Sequence, residues 1–370
     1  MARIDAFLKL GLAQGCSDVH LAVGVPPMLR MNGDLMPIKF RELGDTELES
    51  YVDEILSKNQ QEQLKDGLDL DFSYVSEEDG GRFRVNVFRK ATGIGATFRF
   101  IPQNIPTLES LKMPSLIAEL CNHHQGMVLV TGSTGTGKST TLAAMVDYIN
   151  RTRNLNIISL EDPIEFVHES QRSQIIQREL HTHLPSFAEG IRAALREDPD
   201  VILVGEMRDA ETISLAMTAA ETGHLVLGTL HTTGAAKTVD RMIDALPAEM
   251  REQTKSFLGM GLNAVITQNL VKTPDGRGRK AILEIMIMTR AIAKMISTDQ
   301  THTIPSQMQT GGNLGMQLMD SALLTAIKNK EIDADDAFRF ATDKELFRRF
   351  VTDTSLMPKL EVSISEANPI

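Results

Sequence analysis

Met127-Val128-Leu129-Val130-Thr131-Gly132-Ser133-Thr134-Gly135-Thr136-Gly137-Lys138-Ser139-Thr140 decides how this chain folds. Its first residues are apolar and β-branched, a run short enough for a strand buried on both faces. The octet from Gly132 to Ser139 then fits the phosphate-loop spacing G-x-x-x-x-G-K-[ST]. Glycines there let backbone N–H groups curl around a β-phosphate, and the helix opening behind them adds its positive end. Residues 139–150 carry that helical pattern. The spacing assigns Ser133, Thr134, Gly135, Thr136, Gly137, Lys138, Ser139 and Thr140 to a nucleotide, with Lys138 neutralising β- and γ-oxygens and the Ser139 hydroxyl ligating magnesium.

Downstream, strands alternate with helices. Residues 156–160 and Val201–Val204 read as buried strands, and so does Leu225–Leu230. Ser186 with Glu189 predicts a capping box for a helix ending before Asp198-Pro199. Residues 209–222 predict another helix, closed by Gly223, and Val239, Met242, Ile243 and Leu246 share a further helical face. This alternation predicts a mostly parallel sheet covered on both sides. From about residue 290 the pattern is largely helical.

A phosphate loop binds; hydrolysis also needs a carboxylate near the γ-phosphate. Two acidic groups follow strands, where ligands of open α/β sheets gather. One is Gly205-Glu206, where Glu206 can hold magnesium or position water; an Asp is the usual residue in such a place. The other is Glu161-Asp162-Pro163-Ile164-Glu165, whose Asp-Pro turn aims Glu165 out of the sheet edge. The spacing leaves open which of Glu165 and Glu206 is the base. His224 and His231 bracket the strand 225–230 without a metal-site pattern, which suits phosphate contact or a relay better than zinc.

Upstream, residues 1–100 predict a small mixed α and β unit. Residues 19–23 are strand-like, and Asn32-Gly33 between apolar flanks signals a hairpin. In 82–88 and 94–100, Phe83, Val85, Val87, Ile94, Ala96, Phe98 and Phe100 face one way, which turns Arg84 and Arg99 away from the core. Pro102 and Pro106 then resist both helix and central strand and mark a linker over 101–111.

The 370 residues with 42% hydrophobic content suffice for two domains. A net charge of −11 argues against nucleic acid or anionic lipid as the main partner. Two cysteines, Cys16 and Cys121, exclude a disulfide framework and a four-thiolate zinc site. No apolar run is long enough to cross a bilayer, and no signal-peptide core follows Met1. A cytoplasmic protein is expected.

The chain resembles the type IV pilus and type II secretion ATPases, most closely the retraction ATPases of the PilT (twitching motility) group. The resemblance runs from Gly15-Cys16-Ser17-Asp18-Val19-His20 to about residue 340. It is carried by residues 131–141, 159–166, 193–209 and 220–233, which resemble the Walker A, Asp-box, Walker B and His-box segments. It implies a PAS-like α+β N-terminal domain (1–100), a RecA-like P-loop ATPase domain (112–290) and a helical C-terminal region (291–370). It also implies ATP and Mg2+ as ligands, with Ser139 and Glu206 at the metal. Glu206 takes the place of the Walker B glutamate and Glu165 of the Asp-box glutamate; His224 and His231 match the His-box pair, and Arg84 and Arg99 match arginines brought over the γ-phosphate. Pro102 and Pro106 then read as a hinge.

The implied activity is ATP-driven pilus retraction by a homohexamer at the cytoplasmic face of the inner membrane. Its implied partners are a membrane platform protein and a paralogous pilus ATPase. Ala291-Ile292-Ala293-Lys294-Met295-Ile296-Ser297-Thr298 departs from the group's Ala-Ile-Arg-Asn-Leu-Ile-Arg-Glu signature, which keeps an accessory motor or a nucleotide-dependent regulator among the readings. An assembly or secretion motor is the other alternative, against which stand the missing cysteine pairs. A nucleic-acid translocase fits the charge poorly.

Overall fold

The computed structural model describes residues 2–31, 34–76, 81–101 and 104–356. Its strands, in chain order, are β1 (Asp18–Ala22), β2 (Met28–Met31), β3 (Asp34–Pro37), β4 (Leu70–Val75), β5 (Arg82–Lys90), β6 (Gly93–Ile101), β7 (Gly126–Thr131), β8 (Asn156–Glu161), β9 (Gln174–Glu179), β10 (Val201–Val204), β11 (Leu225–Leu230), β12 (Leu262–Lys272) and β13 (Arg279–Ile287). Two compact units form, Met1–Met113 with Ala143–Glu206, and Pro114–Leu142 with Met207–Ile370.

In the first unit, β1 to β6 make an antiparallel sheet ordered β3-β2-β1-β6-β5-β4. Phe83, Val85, Val87, Ile94, Ala96 and Phe98 are buried in one cluster with Phe7, Leu8, Leu48, Val52 and Leu64 from the helices Asp5–Gln14, Asp45–Asp53 and Lys58–Lys65. Alternation along β5 and β6 therefore puts Arg82, Arg84, Asn86 and Arg99 on the opposite face, as the period of two demands. Around the expected hairpin, Met31 pairs with Asp34; Asn32 and Gly33 lie outside the described residues, as does Pro102 of the expected hinge.

The same unit holds a parallel set ordered β10-β8-β9. Ser186 caps the helix Phe187–Ala194, accepting from the Glu189 N–H at 3.1 Å. The expected reciprocal half of that capping box does not form, because the Glu189 carboxylate accepts instead from Arg192 at 2.6 Å. An ion pair one turn along the helix outcompetes the reach back to the cap.

In the second unit β11, β7 and β12 run parallel, and β13 returns antiparallel beside β12. Every residue of β7 and β11 is buried. Asp209 caps the helix Ala210–Glu221, accepting from Thr212 N–H at 2.8 Å, and Gly223 follows it at φ 108°. Beyond β13 the chain is helical, and Met319, Leu323, Phe338 and Phe347 cover Val271 and Ile282. No helix among the described residues is long and apolar enough to cross a membrane.

Candidate functional site

The phosphate loop leaves β7 and enters the helix Lys138–Thr152; β7, the loop and the helix up to Leu142 belong to the second unit. Gly132 opens the loop at a positive φ of 142°. A Cβ there would sit 2.5 Å from the Gln268 carbonyl oxygen, so only glycine lets β12 approach this closely. Lys138 is buried, and its Nζ donates to the Gly132 and Ser133 carbonyls at 2.8 and 3.0 Å. Thr136 Oγ1 donates to Ser133 O at 2.9 Å, which closes the turn. Ser133, Thr134, Gly135 and Ser139 are exposed along the loop and the first helical turn, and Thr140 is half-buried. Backbone donors, an ammonium group and a hydroxyl thus line one loop at a helix N-terminus, a donor set that fits a nucleotide's phosphates. Among the described residues no cluster of three or more His, Cys, Asp or Glu side chains forms a metal cage. A magnesium ion bound through phosphates plus a hydroxyl and one carboxylate needs none.

Both acidic motifs lie in the first unit, side by side. Gly205 N–H donates to Leu160 O at 2.8 Å, and a Cβ at position 205 would meet that oxygen at 3.0 Å and Glu161 Cα at 3.3 Å. The close approach of the two strand ends accounts for glycine where an Asp is usual, and it leaves Glu206, half-buried, as the first carboxylate after β10. The Asp-box loop is held from within. Glu161 accepts from Ser159 at 2.8 Å, from Gln177 at 3.0 Å and from the Glu165 N–H. Burial pushes the Glu161 carboxyl above its usual range, against the hydrogen bonds that favour its charged form. Gln177 also donates to Phe166 O at 2.8 Å. Glu165 is half-buried on that loop.

Arg84 and Arg99 are cross-strand partners on β5 and β6. Arg84 grips Asp71 with two bonds of 2.6 and 3.2 Å. Those bonds raise its pKa above the usual arginine value despite burial, and the charges of Glu165 and Asp162 act in the same sense. The structure therefore brings Arg84 into the field of the Asp box. Arg99 Nε donates to Asp18 at 2.9 Å. Burial alone would raise the Asp18 pKa, but bonds from Ser17 and Arg99 and the Arg99 charge hold it below the usual value.

The two histidines are not brought together. They stand at opposite ends of β11, about 20 Å apart by strand rise. His231 follows Leu230, which pairs with Thr131 at the root of the phosphate loop. His224 Nδ1 instead pairs with Ala219 O at 2.9 Å at the end of the preceding helix.

Residues 69–334 match the family described as type II/IV secretion system protein. The chain belongs to that family. It is 47% identical to the type IV pilus retraction ATPase PilT of Pseudomonas aeruginosa over 93% of this chain and 99% of the relative. It is 37% identical to the type IV pilus ATPase PilU of the same organism over 91% of this chain and 88% of that one. A crystal structure of the pilus retraction motor PilT with bound ADP superposes with a TM-score of 0.87 at 38% identity, covering 94% of this chain and 99% of that one. The chain is thus a retraction-type ATPase of the secretion family with a P-loop α/β fold.

Two residues of this ATPase escape a reading by motif. Gln268 is buried on β12; its Nε2 donates to Thr136 O at 2.7 Å and its Oε1 accepts from Thr141 at 2.7 Å, so it ties the phosphate loop to the first turn of the helix behind it. Polar Thr267 and Asn269 flank it on β12, so the sequence does not single it out. Glu179 is buried at the end of β9, and its carboxylate bonds to four groups, on β4, on β5, in the Asp-box loop and in the turn after β9. Nothing in its neighbourhood along the chain announces it.

Proposed function

We propose that this chain is the ATP-hydrolysing motor of type IV pilus retraction, working as a homohexamer on the cytoplasmic side of the pilus base. The observation that carries the reading is the phosphate cradle, glycine-turned against Gln268 with Lys138 folded into it. Identity to a retraction ATPase over nearly the whole length supports the cellular role. A PAS-like domain over 1–100, a RecA-like domain over 112–290 and a helical region over 291–370 are the proposed division.

In this reading Lys138 and the loop N–H groups of residues 133–140 bind the β- and γ-phosphates of ATP. Bound Mg2+ would neutralise charge developing on the transferring phosphoryl group. Ser139 offers it a hydroxyl and Glu206 a carboxylate. Glu165 orients water for in-line attack, and Glu161 fixes the loop that carries it. Arg84 and Arg99 balance the γ-phosphate charge, as in other preorganised phosphoryl sites. His231, at the loop's root, and His224, at the far end of β11, relay nucleotide state along that strand. The platform protein of the inner membrane and a paralogous pilus ATPase are the proposed partners.

Purified protein with Mg2+ and ATP is expected to turn over, and Glu206→Gln to cut kcat about a hundredfold or more. Native turnover no faster than the variant's would sink the reading. The accessory-motor reading keeps one observation: residues 291–298 depart from the retraction signature yet still form the helix Arg290–Ser297, with Ile292 and Ile296 fully buried. The departure spares those two isoleucines and falls on exposed Lys294 and Ser297 and on half-buried Ala293 and Met295.

A further inference from the structure

We infer that Glu179 is a positioning residue that holds the Asp-box loop and the Arg84 strand in one frame, so that hydrolysis runs only while the N-terminal sheet is docked on it. The inference rests on the hydrolytic reading above. Glu179 is 3% exposed. Its carboxylate accepts from Ser73 Oγ on β4 at 2.8 and 3.0 Å, and from an Arg82 NH2 group on β5 at 3.2 Å. It also accepts from the Ile164 N–H at 3.2 Å and from Thr182 Oγ1 at 3.2 Å. Arg82 donates to Ser73 Oγ as well, at 2.8 Å, which closes a three-membered network.

A carboxylate this deep is costly unless it is paired and bonded, so these donors are kept or lost as a set. Two of them stand next to the reacting side chains. Ile164 is the residue before Glu165. Arg82 lies two residues before Arg84, on the same face of β5 by the strand's period of two. Arg84 in turn feels the charges of Glu165 and Asp162. One carboxylate therefore ties the strand that presents the arginine to the loop that presents the glutamate, without touching either.

The tie is also built to part. Arg84 grips Asp71 with a two-pronged fork. The Arg82 Nε, by contrast, is buried with no hydrogen-bond partner, so its guanidinium meets the carboxylate on one edge only. A one-edged pair is weaker and less directional than a fork. When the sheet lifts, this contact breaks while Arg84 keeps Asp71. The arginine then leaves the Asp box with its strand, and Ile164 loses the acceptor that fixes the backbone before Glu165.

The test uses the full-length protein and steady-state ATP turnover, with thermal melting as a check on folding. Glu179→Gln keeps the volume and one acceptor but loses the charge that Arg82 meets. It is expected to lower kcat about tenfold or more with KM for ATP within about twofold of native. In the Arg84→Ala background, adding Glu179→Gln is expected to lower kcat less than about twofold further, although Glu179→Gln alone lowers it about tenfold; such non-additivity marks residues acting through one another. A general loss of structure would instead raise KM and multiply with Arg84→Ala. Should Glu179→Gln not fold, Ser73→Ala removes only one hydroxyl from the same carboxylate. It is expected to lower kcat about threefold at unchanged KM, again without multiplying the Arg84→Ala loss. Unchanged kcat in the variant that folds, or fully multiplicative losses, would overturn the inference. A native enzyme that does not hydrolyse ATP would sink the functional reading itself, an outcome separate from either.

Discussion

His168 lies three residues after Glu165, and its Nδ1 is enclosed with no hydrogen-bond partner. Burial depresses its pKa from 6.5 to about 4, against a small opposing pull from Asp147. The folded chain therefore holds this imidazole neutral, while the unfolded chain protonates it below about 6.5. Protons bound only by the unfolded state lower stability as pH falls, so the loss begins near 6.5 and levels off near 4. The full swing is on the order of 2 kcal/mol, given partial burial. Urea unfolding from pH 7.5 to pH 4 is expected to show this slope in the native chain and a shallower one in His168→Gln. Parallel slopes in the two proteins would show that the ring is solvated in the fold. The consequence reaches the site, because the His168 N–H donates to Gln177 at 2.8 Å, and Gln177 also holds Glu161 and Phe166. A proton on the ring would strain the loop that carries Glu165.

Strand β12 does for the phosphate loop what β9 does for the Asp box. Gln268→Ala leaves the Thr136 carbonyl and the Thr141 hydroxyl buried without their partner, at a cost of about 2–3 kcal/mol. If part of that cost appears as a looser loop, affinity for a non-hydrolysed ATP analogue falls about tenfold, measurable by titration calorimetry. Undiminished affinity would mean the loop holds its shape without the strand. These two strands also show what was legible beforehand. Strands β7, β10 and β11 announce themselves as apolar runs, and the alternation in β5 and β6 turns Arg84 and Arg99 outward before any contact is known. The cap at Ser186 is read from residues three apart, although only its Ser186 half forms. By contrast, β9 is Gln174-Ile175-Ile176-Gln177-Arg178-Glu179, four of its six residues polar, and its polar residues find partners up to 106 positions away. Local pattern carries no record of such partners. The same holds for Gln268, whose bonds span more than a hundred residues. Motifs named the proposed reacting groups; the buried amides and carboxylates around them became visible only with the fold.

A motor's direction is a property of the assembly and the cell, and here two observations pull on it. Identity to the retraction ATPase reaches 47% against 37% for the PilU relative, which favours a primary retraction role. The helix Arg290–Ser297 keeps its buried isoleucines but presents Ala293 and Ser297 at positions where the retraction signature has arginine. Ser297 is exposed, whereas Ala293 is half-buried against Gly259 of the helix Arg251–Gly261, where a Cβ on that glycine would meet Ala293 Cβ at 3.3 Å. In solution the purified chain with nucleotide is expected at six times the 40.8 kDa of one chain. In cells lacking the gene, electron microscopy is expected to show excess surface pili, and the native gene is expected to reduce them while Glu206→Gln does not. A primary motor does this alone. An accessory motor does it only in a strain that retains the paralogous ATPase, so the count is repeated with that second gene deleted. Persistent rescue there assigns retraction to this chain, and loss of rescue assigns it to the pair. Bald cells on deletion would make it an assembly motor, because an enzyme that removes pilin cannot be required for pili to appear.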